Sequence, residues 1–392
     1  MISTAVQQSA LDRIDATWIT TLTTALVRAA GENPPGDEAA TVAVLSAAAV
    51  DLGLDVVETP VQPGRPNLRI TLEGGTGPGL LLLGHTDVVP AGDGWTRDPF
   101  GGHLDNGRIY GRGASDMKGG LAAALAAVAA LRGVGCSGPV ELAALVDEEE
   151  AGTGIRAYVS SQTRPFLGCI TAEPTDLQTI IGARGASYLR VEVHGRGAHA
   201  GNPDDGANAI YGAAAVVAEI ERLHAELAER PHPVLGPATV SVGHIRGGSG
   251  GSTVPAECAM VVDRRLLPGE SPETVLADMR ERVAQLRLED RGLTADLTMP
   301  MAMPAFETAP DCELVSATQA ALAGAGAPRR PPGGWTAACD GGFVARDLGV
   351  PVVVLGPGSV ATQAHRADES VAVDELVIAA RAYALTALRL LG

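Results

Sequence analysis

The apolar positions of this chain change rhythm along its length. Over roughly 15–31 and 37–53 they recur every three or four residues, the spacing of one helical face, so both stretches are expected to be helices. Unbroken apolar runs follow. Leu80-Leu81-Leu82-Leu83 stops at Gly84, Val140 to Val146 stops at Asp147, Cys169-Ile170 leads into Ala172-Glu173, and Val352-Val353-Val354-Leu355 stops at Gly356. Strands apolar on both faces, separated by helical patterns such as 117–132, predict an α/β core: a mostly parallel sheet with helices on both sides.

The middle of the chain alternates instead. Tyr188-Leu189-Arg190-Val191-Glu192-Val193 and Thr239-Val240-Ser241-Val242 read as strands with one open face. Between them an amphipathic helix carries the stripe Ile210, Ala213, Val217, Ile220, Leu223 and Leu227, and Pro231 and Pro233 stop it. A second helix begins with Ser271 as N-cap and Pro272 in its first turn and runs to about Leu286. Strand, helix, strands, helix, strand is the pattern of a small independent α/β domain. The expected organisation is a core built from 1–183 and 299–392, interrupted by an inserted domain at 184–298. Gly247 to Gly251 reads as a mobile loop.

Composition agrees with two globular domains in 392 residues: 46% are hydrophobic and 19% charged. No apolar run is long enough to cross a bilayer, and the opening 18 residues lack a basic and then apolar leader, so a cytoplasmic protein without a membrane partner is expected. The five cysteines are odd in number, scattered and without a C-x-x-C pair, as expected of reduced, mostly buried thiols. A formal net charge of −17 disfavours nucleic acid as a partner and suits a carboxylate site that holds cations.

The polar residues of interest sit where the buried runs stop, the usual ligand edge of an open α/β sheet. In Gly84-His85-Thr86-Asp87, residues two apart on an extended chain point the same way, so His85 can ligate a metal while Asp87 orients or braces it. Four glycines surround Asp116 in the segment from Gly111 to Gly120, directly before an alanine-rich helix; a carboxylate bridging two cations fits this setting. A phosphate loop using Lys118 is the alternative. Asp147-Glu148-Glu149-Glu150 closes another strand. Glu148 suits a general base and Glu149 a metal bond, with Glu149 as base and Glu150 as ligand the other register. Glu173 and His365 complete two histidines and three carboxylates, a donor set that suits zinc, cobalt or manganese. No G-x-S-x-G turn follows a strand, which argues against a serine hydrolase.

With these segments in place, the chain resembles the two-metal hydrolase family of acetylornithine deacetylase, succinyl-diaminopimelate desuccinylase, aminoacylase and glutamate carboxypeptidase. The resemblance spans nearly the whole chain. It rests on Gly84-His85-Thr86-Asp87-Val88-Val89-Pro90, Trp95 with Pro99-Phe100, Tyr110-Gly111-Arg112-Gly113 through Gly120, Asp147-Glu148-Glu149, Glu173-Pro174-Thr175, and Gly356-Pro357-Gly358-Ser359 with Ala364-His365. It implies a zinc-aminopeptidase-like core and a ferredoxin-like lid used for homodimerisation. It also implies two divalent metals, zinc first, with His85, Asp116 and Glu173 on one and Glu149, His365 and the shared Asp116 on the other. Glu148 would deprotonate the water bridging the metals and pass the proton to the leaving nitrogen.

In the lid, the resemblance makes His199 the donor to the oxyanion. It places Asn208 and Gly358 among substrate contacts, and Arg265, or Arg264 beside it, on a substrate carboxylate. Where relatives read Asn-Val-Ile-Pro this chain has Ser252-Thr253-Val254-Pro255, so Thr253 is the expected substitute for a substrate-binding asparagine. The implied substrate is a small N-acyl amino acid or a dipeptide, so deacylase and carboxypeptidase or dipeptidase both stand; an inactive metal-binding dimer is the remaining alternative. His103, His194, His224, His232 and His244 are expected to be structural or surface residues, and Trp95 and Phe100 loop anchors.

Overall fold

The four apolar runs become four adjacent parallel strands, in the order Val140–Leu145, Gly79–His85, Phe166–Thr171, Val352–Val354. Every residue of Gly79–His85 and Val140–Leu145 is buried, as a strand covered by helices on both faces requires. Beyond this centre the flanking strands turn antiparallel. Arg65–Leu72 runs antiparallel to Val140–Leu145 and pairs beyond it with Asp55–Gln62, while Ile180–Ala183 runs antiparallel to Val352–Val354. Only Pro63 and Gly64 join the first two strands. That link is too short for a parallel crossover, and Gly64 takes φ +75° to make the turn.

The computed structural model describes residues 4–392. They form two units. The first comprises residues up to Gly182 together with Glu307–Gly334 and Cys339–Gly392; the second comprises Ala183–Phe306 and Trp335–Ala338.

In the first unit the predicted helices appear as Ala16–Arg28 and Ala39–Asp51, preceded by a short helix, Thr4–Leu11, that apolar spacing did not mark. The alanine-rich helix is Gly119–Ala130. It packs unusually close to the sheet, because a Cβ on Gly120 would stand 2.1 Å from the Ala172 carbonyl oxygen. That approach brings the turn before the helix to the strand end that leads to Glu173. All five cysteines are free, and all but Cys312 are buried. No helix among the described residues is long and apolar enough to cross a membrane.

The second unit is an antiparallel sheet in the order Thr239–Gly247, Glu257–Leu266, Gly185–His194, Thr294–Met303. Two helices, Ala209–Ala228 and Pro272–Gln285, pack on it through Val191, Ile220, Val262 and Met279. This is the ferredoxin-like arrangement. The last strand continues past 298 because its pairing with Gly185–His194 extends, through an irregularity after Thr298, to Met303 opposite Ala186. Ser271 accepts the Thr274 N–H and caps the second helix as expected. Ile210 departs from the predicted apolar stripe. It is 38% exposed, because the buried face of the first helix runs instead through Ala209, Gly212, Ala213, Val216 and Ile220.

Candidate metal centre

Three parallel strand ends and two loops of the first unit converge. His85 is the last residue of its strand; its ring Nδ1 lies 2.9 Å from the Asp87 carbonyl oxygen, which makes Nδ1 the donor and leaves the Nε2 lone pair free. Nε2 faces Asp116 Oδ1 at 3.3 Å and Glu173 Oε1 at 3.6 Å. His365 Nε2 faces the other Asp116 oxygen, Oδ2, at 3.4 Å and Glu149 Oε2 at 3.2 Å. Asp116 therefore stands between two half-sites, each offering an imidazole nitrogen and a further carboxylate. One ligand atom each of His85, Asp116 and Glu149 lie within 4.8 Å of one another. Asp116 reaches in because the turn Ala114–Lys118 breaks helical geometry at Asp116 itself (φ −120°, ψ 94°).

The Asp87 carboxylate lies 3.5 Å from the same Nδ1, where it polarises the ring, and it has a second duty. It accepts the backbone N–H groups of Glu148 and Glu149 at 3.2 and 3.0 Å, and the Asn33 side-chain amide at 2.9 Å. The same amide reaches Asp147, which also takes Arg65 at 3.0 Å, and Arg65 is paired with buried Glu38. Asp147, at φ +70°, is thus the anchor of the acidic turn, while Glu150 is exposed. On the other side, one Glu369 oxygen accepts the N–H groups of Ser115 and Asp116, and the other takes Arg112 at 2.7 Å.

Crowded acids perturb one another here. Burial pushes the Glu148 and Glu173 carboxyls well above the usual range, and Glu149 up as well. Burial also opposes charge on Asp116 and His85. The two imidazoles outweigh it at Asp116 and hold that carboxyl low, while Glu173, Asp116 and Asp87 hold the His85 pKa well above the ordinary value. Hydrogen bonds to Asp116 and Glu149 push His365 up to about 10. Glu149 Oε1 is buried with no hydrogen-bond partner among the described residues. An orphaned carboxylate oxygen beside acids that resist ionisation, with two imidazole nitrogens turned inward, fits divalent cations.

The phosphate-loop alternative is excluded. Lys118 is fully buried and donates to the Leu26 and Ala30 carbonyls, so it faces no anion. Gly358 is occupied too: its N–H goes to Glu375, and a Cβ there would strike Ser115 Oγ at 2.0 Å, so its glycine is required by packing beside Asp116. Trp95 is a loop anchor as expected, donating to the Ala91 carbonyl with Arg112 over its ring.

Within the second unit, His199 and Thr253 are direct partners in a short antiparallel ladder. Exposed His199 accepts the Gly201 N–H at Nδ1, so Nε2 carries the proton and is free to donate. Asn208 caps the helix Ala209–Ala228 with its side-chain oxygen, a duty that accounts for it structurally. Arg264 is buried against Glu270 at 2.5 Å; Arg265 is more open and lies on Asp263 through two 3.0 Å bonds.

Asn33, Glu38, Arg65, Glu369 and Asp340 had no part in the sequence reading. Glu369 carried a faint signal, an acid four residues after His365. Asp340 opens the helix Gly341–Leu348, is buried with neither oxygen partnered among the described residues, and is pushed up to about 8 by burial.

A nitrogen and oxygen cluster of this kind at the strand ends of an α/β core defines a metallohydrolase. Residues 81–389 match the model of peptidase family M20/M25/M40, and the chain belongs to that family of amide-bond hydrolases. Similar solved structures include a tripeptidase from Staphylococcus aureus subsp. aureus Mu50 (TM-score 0.75, 21% identity, 96% of this chain and 99% of that one). Human carnosine dipeptidase 1 is also similar (0.73, 17%, 98% and 99%), as is the YXEP protein of Bacillus subtilis, a dinuclear metal-binding peptidase (0.72, 16%, 96% and 99%). At these identities the likeness concerns the fold.

Proposed function

We propose that this chain is a two-metal deacylase that releases the acyl group of a small N-acyl amino acid. The observation that carries the reading is Asp116, with one oxygen toward His85 and the other toward His365. His85, Glu173 and Asp116 would hold one divalent ion, and His365, Glu149 and Asp116 the other. Zinc is the first choice, then cobalt or manganese. When bound, the pair would supply Lewis acidity at the amide carbonyl and at the attacking water.

Glu148 takes the proton of that water and returns it to the leaving nitrogen. Its support is placement: Asp87 binds its backbone N–H and that of Glu149, the Glu149 carboxylate meets His365, and Glu150 is exposed. His199 donates through Nε2 to the developing oxyanion. Of the neighbouring arginines, the more open Arg265 suits a substrate carboxylate better than enclosed Arg264.

The acyl preference follows the closing Gly-Pro-Gly-Ser and Gln-x-His motifs, which resemble those of acetylornithine deacetylase. A dipeptidase or carboxypeptidase is the second reading, favoured by the peptidase activities named for structural neighbours. Acetate and succinate release from acyl amino acids, measured beside amino-acid release from dipeptides, separates the two; turnover confined to dipeptides would remove the first.

A further inference from the structure

None of the residues of the metal centre lines a cavity of the first unit, about 630 Å³, that lies between Leu177, the helix Glu313–Ala325 and the segment 328–331. Leu177 and Leu322 form a buried apolar floor, and Arg329 and Arg330 are exposed on its rim. No carboxylate lines it.

The two arginines are unusual in so acidic a chain. Arg65, Arg112, Arg264 and Arg282 all lie on carboxylates, whereas Arg329 and Arg330 have no ion pair or hydrogen bond among the described residues. Gln319 adds a third donor to the same cavity, since its side-chain nitrogen is buried without a partner. An unpaired buried donor is costly, so it calls for an acceptor. The helix end does not supply one. The Leu322 and Ala323 carbonyls already accept the Ala327 and Gly326 N–H groups, so the arginines are not needed to satisfy them.

We propose that this cavity binds a small organic anion, a phosphate or carboxylate attached to an apolar body. Arg329, Arg330 and Gln319 hold the anionic head, and Leu177 and Leu322 the body.

The test is calorimetric titration of the metal-loaded full chain with phenyl phosphate, benzoate and inorganic phosphate at constant ionic strength. Wild type is compared with the Arg329→Ala/Arg330→Ala double variant and with Gln319→Leu. Because all forms keep the metal centre, anion binding there cancels in the comparison. Affinity for phenyl phosphate or benzoate is expected to fall roughly tenfold or more in the double variant, with metal content unchanged. The better of the two probes identifies the head group. Equal affinity in wild type and both variants overturns the proposal. So does a double variant that melts lower but shows no anion dependence in either form, since the arginines would then serve only the helix end. Inorganic phosphate binding as tightly as phenyl phosphate overturns the apolar body.

Discussion

Glu369 and Asp116 are 253 residues apart in sequence, and the Glu369 carboxylate accepts the Asp116 backbone N–H at 3.0 Å. The bond holds the non-helical turn that points Asp116 at both histidines, and Arg112 balances the buried charge. Glu369→Gln keeps an acceptor but leaves Arg112 without its partner charge. Activity and metal affinity are each expected to fall about 10–100-fold, the range seen when a group that orients a ligand is altered. Unchanged metal affinity would show that the turn holds without Glu369.

His365 faces only one of the two half-sites, whereas Asp116 faces both. His365→Ala is expected to lower the bound metal from two ions per chain to one after dialysis, and Asp116→Asn to lower it toward none. Elemental analysis reads both. Equal losses in the two variants would contradict the assignment of Asp116 as the shared ligand.

Glu148 has a burial-raised carboxyl and no assigned place in either half-site. Glu148→Gln should cut kcat by about 10²–10⁴-fold, the usual contribution of a positioned base, and leave metal content intact. If turnover is unchanged, another residue takes the proton.

Removal of the metals exposes a pH dependence. Burial holds Glu148 and Glu173 protonated well above the ordinary range, Asp340 up to about 8 and Glu369 up to about 7. The folded chain therefore binds more protons than the unfolded one above about pH 4–5, and stability falls as pH rises. His365, raised to about 10, acts in the same direction. Asp87 and Asp116, held low, matter only in acid, and Lys118, lowered to about 7, works in reverse above neutrality. Melting of the chelator-treated protein should therefore fall between pH 5 and 7, with a flatter curve once metal is restored. A rise over that interval would sink the account.

Arg65 joins Glu38 and Asp147 beneath the acidic turn, almost out of contact with water. Arg65→Met strands the buried Glu38 carboxylate and leaves Asp147 with neutral donors only, and a loss of about 3–5 kcal/mol is expected from denaturant unfolding. A loss below about 1 kcal/mol would mean that the network relaxes or admits water.

Much of the core was legible along the chain, because a strand buried on both faces must be apolar throughout and ends where its side chains meet water. That rule located Gly79–His85, Val140–Leu145 and Val352–Val354, and with them the polar residues at their ends. The antiparallel edges were less visible. Their residues alternate weakly, and direction depends on a neighbour and a turn.

Residue type and local spacing were enough to single out His85, Asp116, Glu149, Glu173 and His365 as metal-binding candidates. Which atom meets which was decided only in three dimensions. Hydrogen bonds and ion pairs act over about 3 Å of space without regard to chain distance, so the sequence carried no sign that Asp87 braces the Glu148 and Glu149 amides or that Glu369 holds the Asp116 turn.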